Sequence, residues 1–177
     1  MSARERALKY ISWSDIVEIS AKLSHEVSKK FRPDVIVAIA KGGLIPARIV
    51  LEFLGVDEVG FVEVKFYKSI GVTVEKPYIK SMSVPPITGK NVLVVDDVVD
   101  SGRTMQLVVQ VLSAQKPLEV KTLALYVKPW STFIPDFYYA VVSEWIVFPW
   151  EVCEALKEGV IVDHEEYRKY SAYCSPR

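Results

Sequence analysis

One segment, residues 91–112, constrains the fold of this chain more than any other. It reads NVLVVDDVVDSGRTMQLVVQVL. The run from Asn91 to Val95 is apolar without alternation, which is typical of a strand covered on both faces. A polar loop with three carboxylates follows, and apolar residues then recur at helical spacing from Met105 to Leu112. The segment therefore predicts a central buried strand that ends at Val95, an acidic loop and a helix.

The loop of this segment predicts an anion site that lies next to a group of carboxylates. The N–H groups at a helix N-terminus favour an anion, and Ser101, Gly102 and Thr104 supply small residues and hydroxyl donors. The three carboxylates nearby would repel a phosphate. A ribose phosphate with Mg²⁺ would satisfy both parts of the loop. Its phosphate would lie at the helix N-terminus, and its hydroxyls and the cation would lie at the carboxylates. The alternative for any single Asp here is a helix cap or a solvated strand end.

The run from Val92 to Thr104 resembles the signature of the type I phosphoribosyltransferases: an apolar strand, Asp-Asp, two apolar residues, Asp, Ser or Thr, Gly, then Thr. The resemblance implies the α/β fold of that family, with a mostly parallel central sheet, flanking helices and a small hood. It implies a single domain over residues 1–177, which the length supports. The expected parts are a core at about 33–143, a hood from about 1–32 and 144–177, and a mobile lid at about 67–88.

A second strand, loop and helix are predicted at residues 34–54. The apolar run Asp34–Ala40 leads into Lys41-Gly42-Gly43, and an apolar stretch follows. Glycines allow close backbone approach and Lys41 supplies charge, although the pattern alone also fits a simple turn. Parallel strands place the loops at their carboxyl ends side by side. The two loops would then hold the pyrophosphate and the 5′-phosphate of one phosphoribosyl pyrophosphate (PRPP). The resemblance adds a non-proline cis peptide at Ala40–Lys41.

Further elements are predicted from periodicity and turn residues. A helix is expected at residues 12–31, with apolar positions 16, 19, 23 and 27 on one face. A third strand is expected at 58–67, with residues 72–79 as its antiparallel partner. Two more strands are expected at 119–126 and 137–142, followed by a short helix at 151–157 and a polar terminus.

The later part of the chain resembles the xanthine-guanine and hypoxanthine-guanine phosphoribosyltransferases, through KPW at 128–130, PDFYY at 135–139 and EWIVFPWE at 144–151. The resemblance implies that Lys128 donates to the purine 6-oxo oxygen, Trp145 stacks on the ring and Ile146 contacts the base edge. A lysine only donates, so it suits a 6-oxo group and not the 6-amino group of adenine. Val147 replaces an acidic residue of the xanthine-guanine type, so hypoxanthine and guanine are expected before xanthine. The alternatives are an exposed Lys128 and a core Trp145.

The implied function is transfer of the ribosyl 5-phosphate of PRPP to a purine, with release of pyrophosphate, in purine salvage. The implied general base is Asp100. Asp96 and Asp97 would act as catalytic residues that hold the ribose hydroxyls and Mg²⁺, directly or through water, and Lys41 would act as a catalytic residue at the pyrophosphate. The implied 5′-phosphate site is Val99, Asp100, Ser101, Gly102, Arg103 and Thr104. The implied pyrophosphate site is Lys41, Gly42 and Gly43.

Composition excludes some partners and leaves two other functions open. The chain has 22 basic and 22 acidic residues and no long charge block, so neither nucleic acid nor a membrane surface is expected as a partner. We expect a cytoplasmic protein, since no apolar run approaches a membrane span and the start lacks a signal-peptide core. The family resemblance implies a homo-oligomer, dimer or tetramer. An adenine or pyrimidine phosphoribosyltransferase, or a PRPP-sensing regulator on the same fold, remains an alternative.

The two cysteines, Cys153 and Cys174, have no histidine nearby at metal-ligand spacing. Their pattern predicts neither a zinc site nor a disulfide.

Overall fold

The computed structural model describes residues 7–67 and 76–174. Its strands are β1 (Leu8–Tyr10), β2 (Val35–Ala40), β3 (Glu58–Tyr67), β4 (Lys76–Ser83), β5 (Asn91–Val99), β6 (Glu119–Val127), β7 (Phe137–Val141) and β8 (Trp145–Val147). Its helices are α1 (Trp13–Lys30), α2 (Leu44–Leu54), α3 (Arg103–Ser113), α4 (Val152–Lys157) and α5 (Glu165–Ser171), with a 3₁₀ turn at Pro149–Glu151. The chain divides into a larger unit, residues 18–142, and a smaller unit built from 1–17 and 143–177.

The larger unit is built on a six-stranded sheet with the order β4-β3-β2-β5-β6-β7. Every neighbouring pair is parallel except β3 and β4, which are antiparallel. The central strands are buried on both faces, as Val35–Ile39 and Val92–Val95 show. The predicted α/β class, with a mostly parallel sheet and flanking helices, is therefore confirmed.

The helices bury the apolar stripes that their periodicity predicted. On α1 the residues Ile16, Ile19, Leu23 and Val27 are all buried, and on α3 the buried residues are Met105, Val108 and Leu112. Each such side chain contributes about 1.5–3 kcal/mol by leaving water. No helix among the described residues has the length and apolarity that a membrane crossing requires.

The signature strand β5 is longer than the sequence predicted. We expected it to end at Val95, but it continues through Asp96 and Asp97 to Val99. Pairing with β2 stops at Ala38–Val95, whereas pairing with β6 continues to Val99–Val127. The two carboxylates therefore project from a paired strand, which fixes their backbone more firmly than a loop would.

The edge strand β4 pairs antiparallel with β3, as expected. It begins four residues later in the sequence than the strand predicted at 72–79. Residues 68–75 of the predicted lid lie outside the described residues. The lid at about 67–88 stays a prediction.

The smaller unit has its own two-stranded sheet and its own core. Strand β1 pairs in parallel with β8, with Leu8 opposite Trp145 and Tyr10 opposite Val147. Its core consists of buried residues from β8, α4, α5 and the chain between them: Val147, Val152, Ala155, Val160, Val162 and Tyr167. Helix α5 was not predicted, because its one buried apolar position, Tyr167, forms no stripe in a polar sequence.

A disulfide joins Cys153 to Cys174, with the two Cα atoms 5.4 Å apart. The prediction of no disulfide was wrong. The sequence separates the cysteines by 21 residues, and only the packing of α4 against α5 brings them together.

We expect the double variant Cys153→Ser/Cys174→Ser to lose about 3 kcal/mol of unfolding free energy, because the crosslink restricts a loop of this length in the unfolded chain. Thermal denaturation with and without reductant measures this. Reductant should lower the melting temperature of the wild type and leave the double variant unchanged. Equal melting temperatures for all samples would contradict a stabilising crosslink.

Candidate functional site

Two loops emerge at one edge of the larger sheet. Strands β2 and β5 are parallel neighbours, so the segments after them emerge at the same edge. A Cβ on Gly42 would overlap Oδ2 of Asp97, and a Cβ on Gly43 would lie 2.5 Å from the Val95 oxygen. At Gly43 the close atoms belong to the backbone and only glycine fits, whereas at Gly42 a side chain would have to displace the Asp97 carboxylate. The 41–43 loop therefore lies directly against the Asp96–Asp97 pair.

The 41–43 loop has the backbone that the sequence predicted. The Ala40–Lys41 peptide is cis, as the resemblance implied. The Gly43 N–H donates to the Ile39 oxygen at 2.9 Å, and Leu44 N–H donates to the Lys41 oxygen at 3.1 Å. Gly43 caps α2 without any side-chain hydrogen bond. The loop thus presents an exposed Lys41 beside a helix N-terminus that no side chain caps.

Asp96 and Asp97 form a buried carboxylate pair. They are 8% and 6% exposed. Oδ1 of Asp96 accepts from the Asp97 N–H at 3.0 Å, and Oδ1 of Asp97 accepts from the Val98 N–H at 2.7 Å. Burial, and then the charge of Asp97, raise the pKa of Asp96 well above its usual value. Such a pair favours a proton or a cation next to it.

The loop after β5 combines an open helix end with a small cavity. Gly102 has a left-handed φ of 85° and caps α3 without a side-chain hydrogen bond, while Ser101 Oγ accepts from the Arg103 N–H at 3.4 Å. A cavity of about 140 Å³ is lined by residues of this loop together with Asp96 and Phe66. The helix dipole and the backbone amides of the first turn make this end of α3 suitable for an anion.

A larger cavity, of about 620 Å³, is lined by residues at the opposite ends of the strands, among them Arg32, Asp34 and Glu58. In α/β sheets ligands bind beyond the carboxyl ends of the strands. The chemistry-bearing loops lie at that carboxyl edge, so we place the candidate site at the smaller cavity.

The turn at residues 128–133 packs on the signature loop, which the sequence did not predict. Thr132 donates to the Ser101 oxygen through its N–H at 3.3 Å and its Oγ1 at 3.0 Å. A Cβ on Gly102 would lie 2.6 Å from Cβ of Phe133. The indole N–H of Trp130 donates to Oδ1 of Asp100 at 2.7 Å. The aromatic residue directly after Lys128-Pro129 was the one signal that could have indicated this contact.

The expected base-binding residues lie in both units. Lys128 follows β6 and is only 8% exposed, which rules out the alternative of an exposed lysine. Its Nζ lies 5.7 Å from the centre of the Trp130 ring. In the smaller unit Ile146 is buried, and Trp145 is partly buried against that unit's core. That Lys128, Trp145 and Ile146 bound one base site remains a prediction.

The fold and the site define an α/β protein with two candidate anion loops and a buried carboxylate pair at one sheet edge. Residues 11–156 match the model of the phosphoribosyl transferase domain, and the chain belongs to that family. The predicted family, fold class and enzyme class are thereby confirmed. Small-molecule substrates of the predicted kind fit this family.

The chain is similar to individual proteins over most of its length. The xanthine-guanine phosphoribosyltransferase of Gluconobacter oxydans is 31% identical over 144 residues, covering 80% of this chain and 83% of the relative. The crystal structure of a purine phosphoribosyltransferase from Pyrococcus horikoshii is 35% identical, with a TM-score of 0.74 over 81% of this chain and 93% of that chain. A hypothetical protein from Neisseria gonorrhoeae, solved with bound ppGpp, is 26% identical, with a TM-score of 0.77 over 95% of this chain and 97% of that chain.

Proposed function

We propose that this protein transfers the ribosyl 5-phosphate of PRPP to a 6-oxopurine in purine salvage. Hypoxanthine and guanine are the expected bases, followed by xanthine. The contact of Gly42 and Gly43 with the Asp96–Asp97 pair carries the proposal, because the loop that would bind pyrophosphate lies beside the carboxylates that would hold the ribose. The purine activities named for the Gluconobacter and Pyrococcus relatives support the choice of base.

The two loops divide the charges of PRPP between them. The 41–43 loop would bind pyrophosphate through Lys41 and the N–H groups near Gly42 and Gly43. The 5′-phosphate would lie at the N-terminus of α3 against Val99, Asp100, Ser101, Gly102, Arg103 and Thr104. The left-handed Gly102, which lies tight against Phe133, keeps side-chain atoms out of that position.

Magnesium fits the pair of carboxylates. Mg²⁺ typically binds one or two protein carboxylates and completes its shell with water and substrate phosphates. Asp96 and Asp97 supply two such groups, and no cluster of three or more His, Cys, Asp or Glu residues is arranged for a metal within 7–67 and 76–174. Burial raises the pKa of Asp96, so a cation beside the pair would favour its charged form. When bound, Mg²⁺ would neutralise charge on the pyrophosphate.

The reaction breaks the bond from C1 of the ribose to pyrophosphate and forms a bond from C1 to a purine nitrogen. The transition state has oxocarbenium character. Asp100 would accept the proton on purine N7, which raises the nucleophilicity of the base. Lys41 and the loop N–H groups would stabilise the leaving pyrophosphate, and Asp96 and Asp97 would orient the ribose hydroxyls.

Selection of the base would depend on Lys128. Its ammonium group donates only, so the 6-oxo oxygen of hypoxanthine or guanine is a partner and the 6-amino group of adenine is not. Lys128 is buried, and two donors that face each other in a buried site are unfavourable, which strengthens the discrimination against adenine. Trp145 would stack on the ring, and the Ile146 backbone would contact its edge.

Turnover with a panel of bases tests the proposal. With PRPP and Mg²⁺ we expect nucleotide and pyrophosphate from hypoxanthine and guanine, and a kcat/KM for adenine, uracil and orotate lower by a factor of about 10² or more. Chelation of Mg²⁺ with EDTA should abolish turnover. Transfer to adenine or a pyrimidine alone would overturn the assignment of the base, and no pyrophosphate release with any base would overturn the function.

We also propose that the protein is cytoplasmic. The family resemblance leads us to propose a homo-oligomer, either a dimer or a tetramer. Light scattering on the purified protein measures the oligomeric state.

A further inference from the structure

Trp130 makes a directed contact with the proposed general base. Its indole N–H donates to Oδ1 of Asp100 at 2.7 Å, across 30 residues of sequence. The Trp130 side chain is 57% exposed, so burial does not force this pairing, and water could satisfy the N–H instead. Hydrogen bonds to charged groups are stronger than those to neutral groups.

The backbone of the 128–133 turn fixes Trp130 next to Asp100. The N–H of Lys128 donates to the oxygen of Val99 at 2.9 Å, and that of Thr132 donates to the oxygen of Ser101 at 3.3 Å. Val99 and Ser101 flank Asp100 in sequence. The turn is therefore hydrogen-bonded to the backbone on both sides of Asp100. The indole adds a third hydrogen bond, to the Asp100 side chain.

Trp130 also contacts the proposed base-selecting residue. Nζ of Lys128 lies 5.7 Å from the centre of the indole ring, within the range of a cation–π interaction. One side chain thus contacts both groups of the larger unit that would recognise the purine, Asp100 at N7 and Lys128 at the 6-oxo oxygen.

We propose that Trp130 is a positioning residue for phosphoribosyl transfer, acting through Asp100 and Lys128. The inference rests on the proposed function. A carboxylate has two oxygens, and the indole holds Oδ1. Fixing Oδ1 stops rotation of the carboxylate and leaves Oδ2 to accept the N7 proton. A catalytic base oriented by a third group is a recurrent arrangement in enzymes.

Kinetics of Trp130→Phe test the proposal. Phenylalanine keeps an aromatic ring but lacks the N–H, so we expect kcat to fall about 10-fold while KM for PRPP stays unchanged. Trp130→Ala also removes the ring beside Lys128 and should further raise KM for the 6-oxopurine about 2- to 5-fold. Trp13→Phe is the matched control, because Trp13 is also exposed and its ring contacts Trp150. It should retain the wild-type kcat.

Combination with Asp100→Asn separates positioning from a general structural role. If Trp130 acts through Asp100, then adding Trp130→Phe to Asp100→Asn leaves kcat unchanged within about 2-fold. An equal loss in both backgrounds would overturn the proposal, as would a wild-type kcat for Trp130→Phe. A wild type that turns over no base would instead overturn the proposed function, and so the two failures are distinguishable.

Discussion

Asp100→Asn is expected to lower kcat by a factor of about 10² to 10⁴ and to leave the affinity for PRPP unchanged. The side chain keeps its shape and can still accept from the Trp130 indole, but an amide oxygen does not take the proton from purine N7. PRPP binding would depend instead on the 41–43 loop, the Asp96–Asp97 pair and the N-terminus of α3. Steady-state kinetics with hypoxanthine, together with calorimetric titration of PRPP in Mg²⁺, measure the two quantities.

Asp57→Asn is the matched control for this substitution. Asp57 is exposed and lines the larger cavity at the opposite ends of the strands. It should retain the wild-type kcat. If Asp100→Asn keeps wild-type turnover, Asp100 is not the base. If the variant loses PRPP affinity as well as kcat, the carboxylate contributes mainly to the phosphate site.

The fold was largely predictable because its central strands are buried on both faces. Runs such as Val92–Val95 have no polar position, and each is followed by small or polar residues and then by an apolar helical stripe. Strand, loop and helix can therefore be predicted from the local sequence. The end of β5 could not be predicted from the sequence, because Asp96 and Asp97 are typical loop residues. Pairing with β6, which is 28 residues further along, keeps them in the strand.

The local structure of the candidate site was predictable where its residues are close in sequence. The loops at 41–43 and 101–104 each carry their own glycines, and their position at one sheet edge follows from the parallel pairing of β2 and β5. The parts that the sequence did not indicate all depend on distant contacts: the disulfide of Cys153 with Cys174, helix α5 around Tyr167, and Trp130 against Asp100. The local sequence does not indicate such a contact, because each of these residues, taken alone, is equally typical of an ordinary surface or core position.

Gly42→Ala is expected to raise the KM and the dissociation constant for PRPP about 10- to 100-fold in the presence of Mg²⁺. The new methyl group would occupy the position of Asp97 Oδ2. The carboxylate would have to rotate away, losing its hydrogen bond from the Val98 N–H and its place beside Asp96. Because the overlapping atoms belong to the end of a side chain, the fold can relax, and the melting temperature should fall by only a few degrees. Calorimetry of PRPP binding and thermal denaturation give both values.

Gly60→Ala provides the matched comparison, because its new methyl group would lie 2.8 Å from the oxygen of Ser83 and 2.9 Å from Cα of Val84, against backbone and not against a site residue. This variant should lose stability and keep its affinity for PRPP, the reverse of Gly42→Ala. Asp97→Asn should share the loss of affinity. Wild-type affinity in Gly42→Ala combined with a loss in Asp97→Asn would mean that the 41–43 loop shifts to make room. The tight fit of glycine against Asp97 would then have no part in binding the sugar diphosphate.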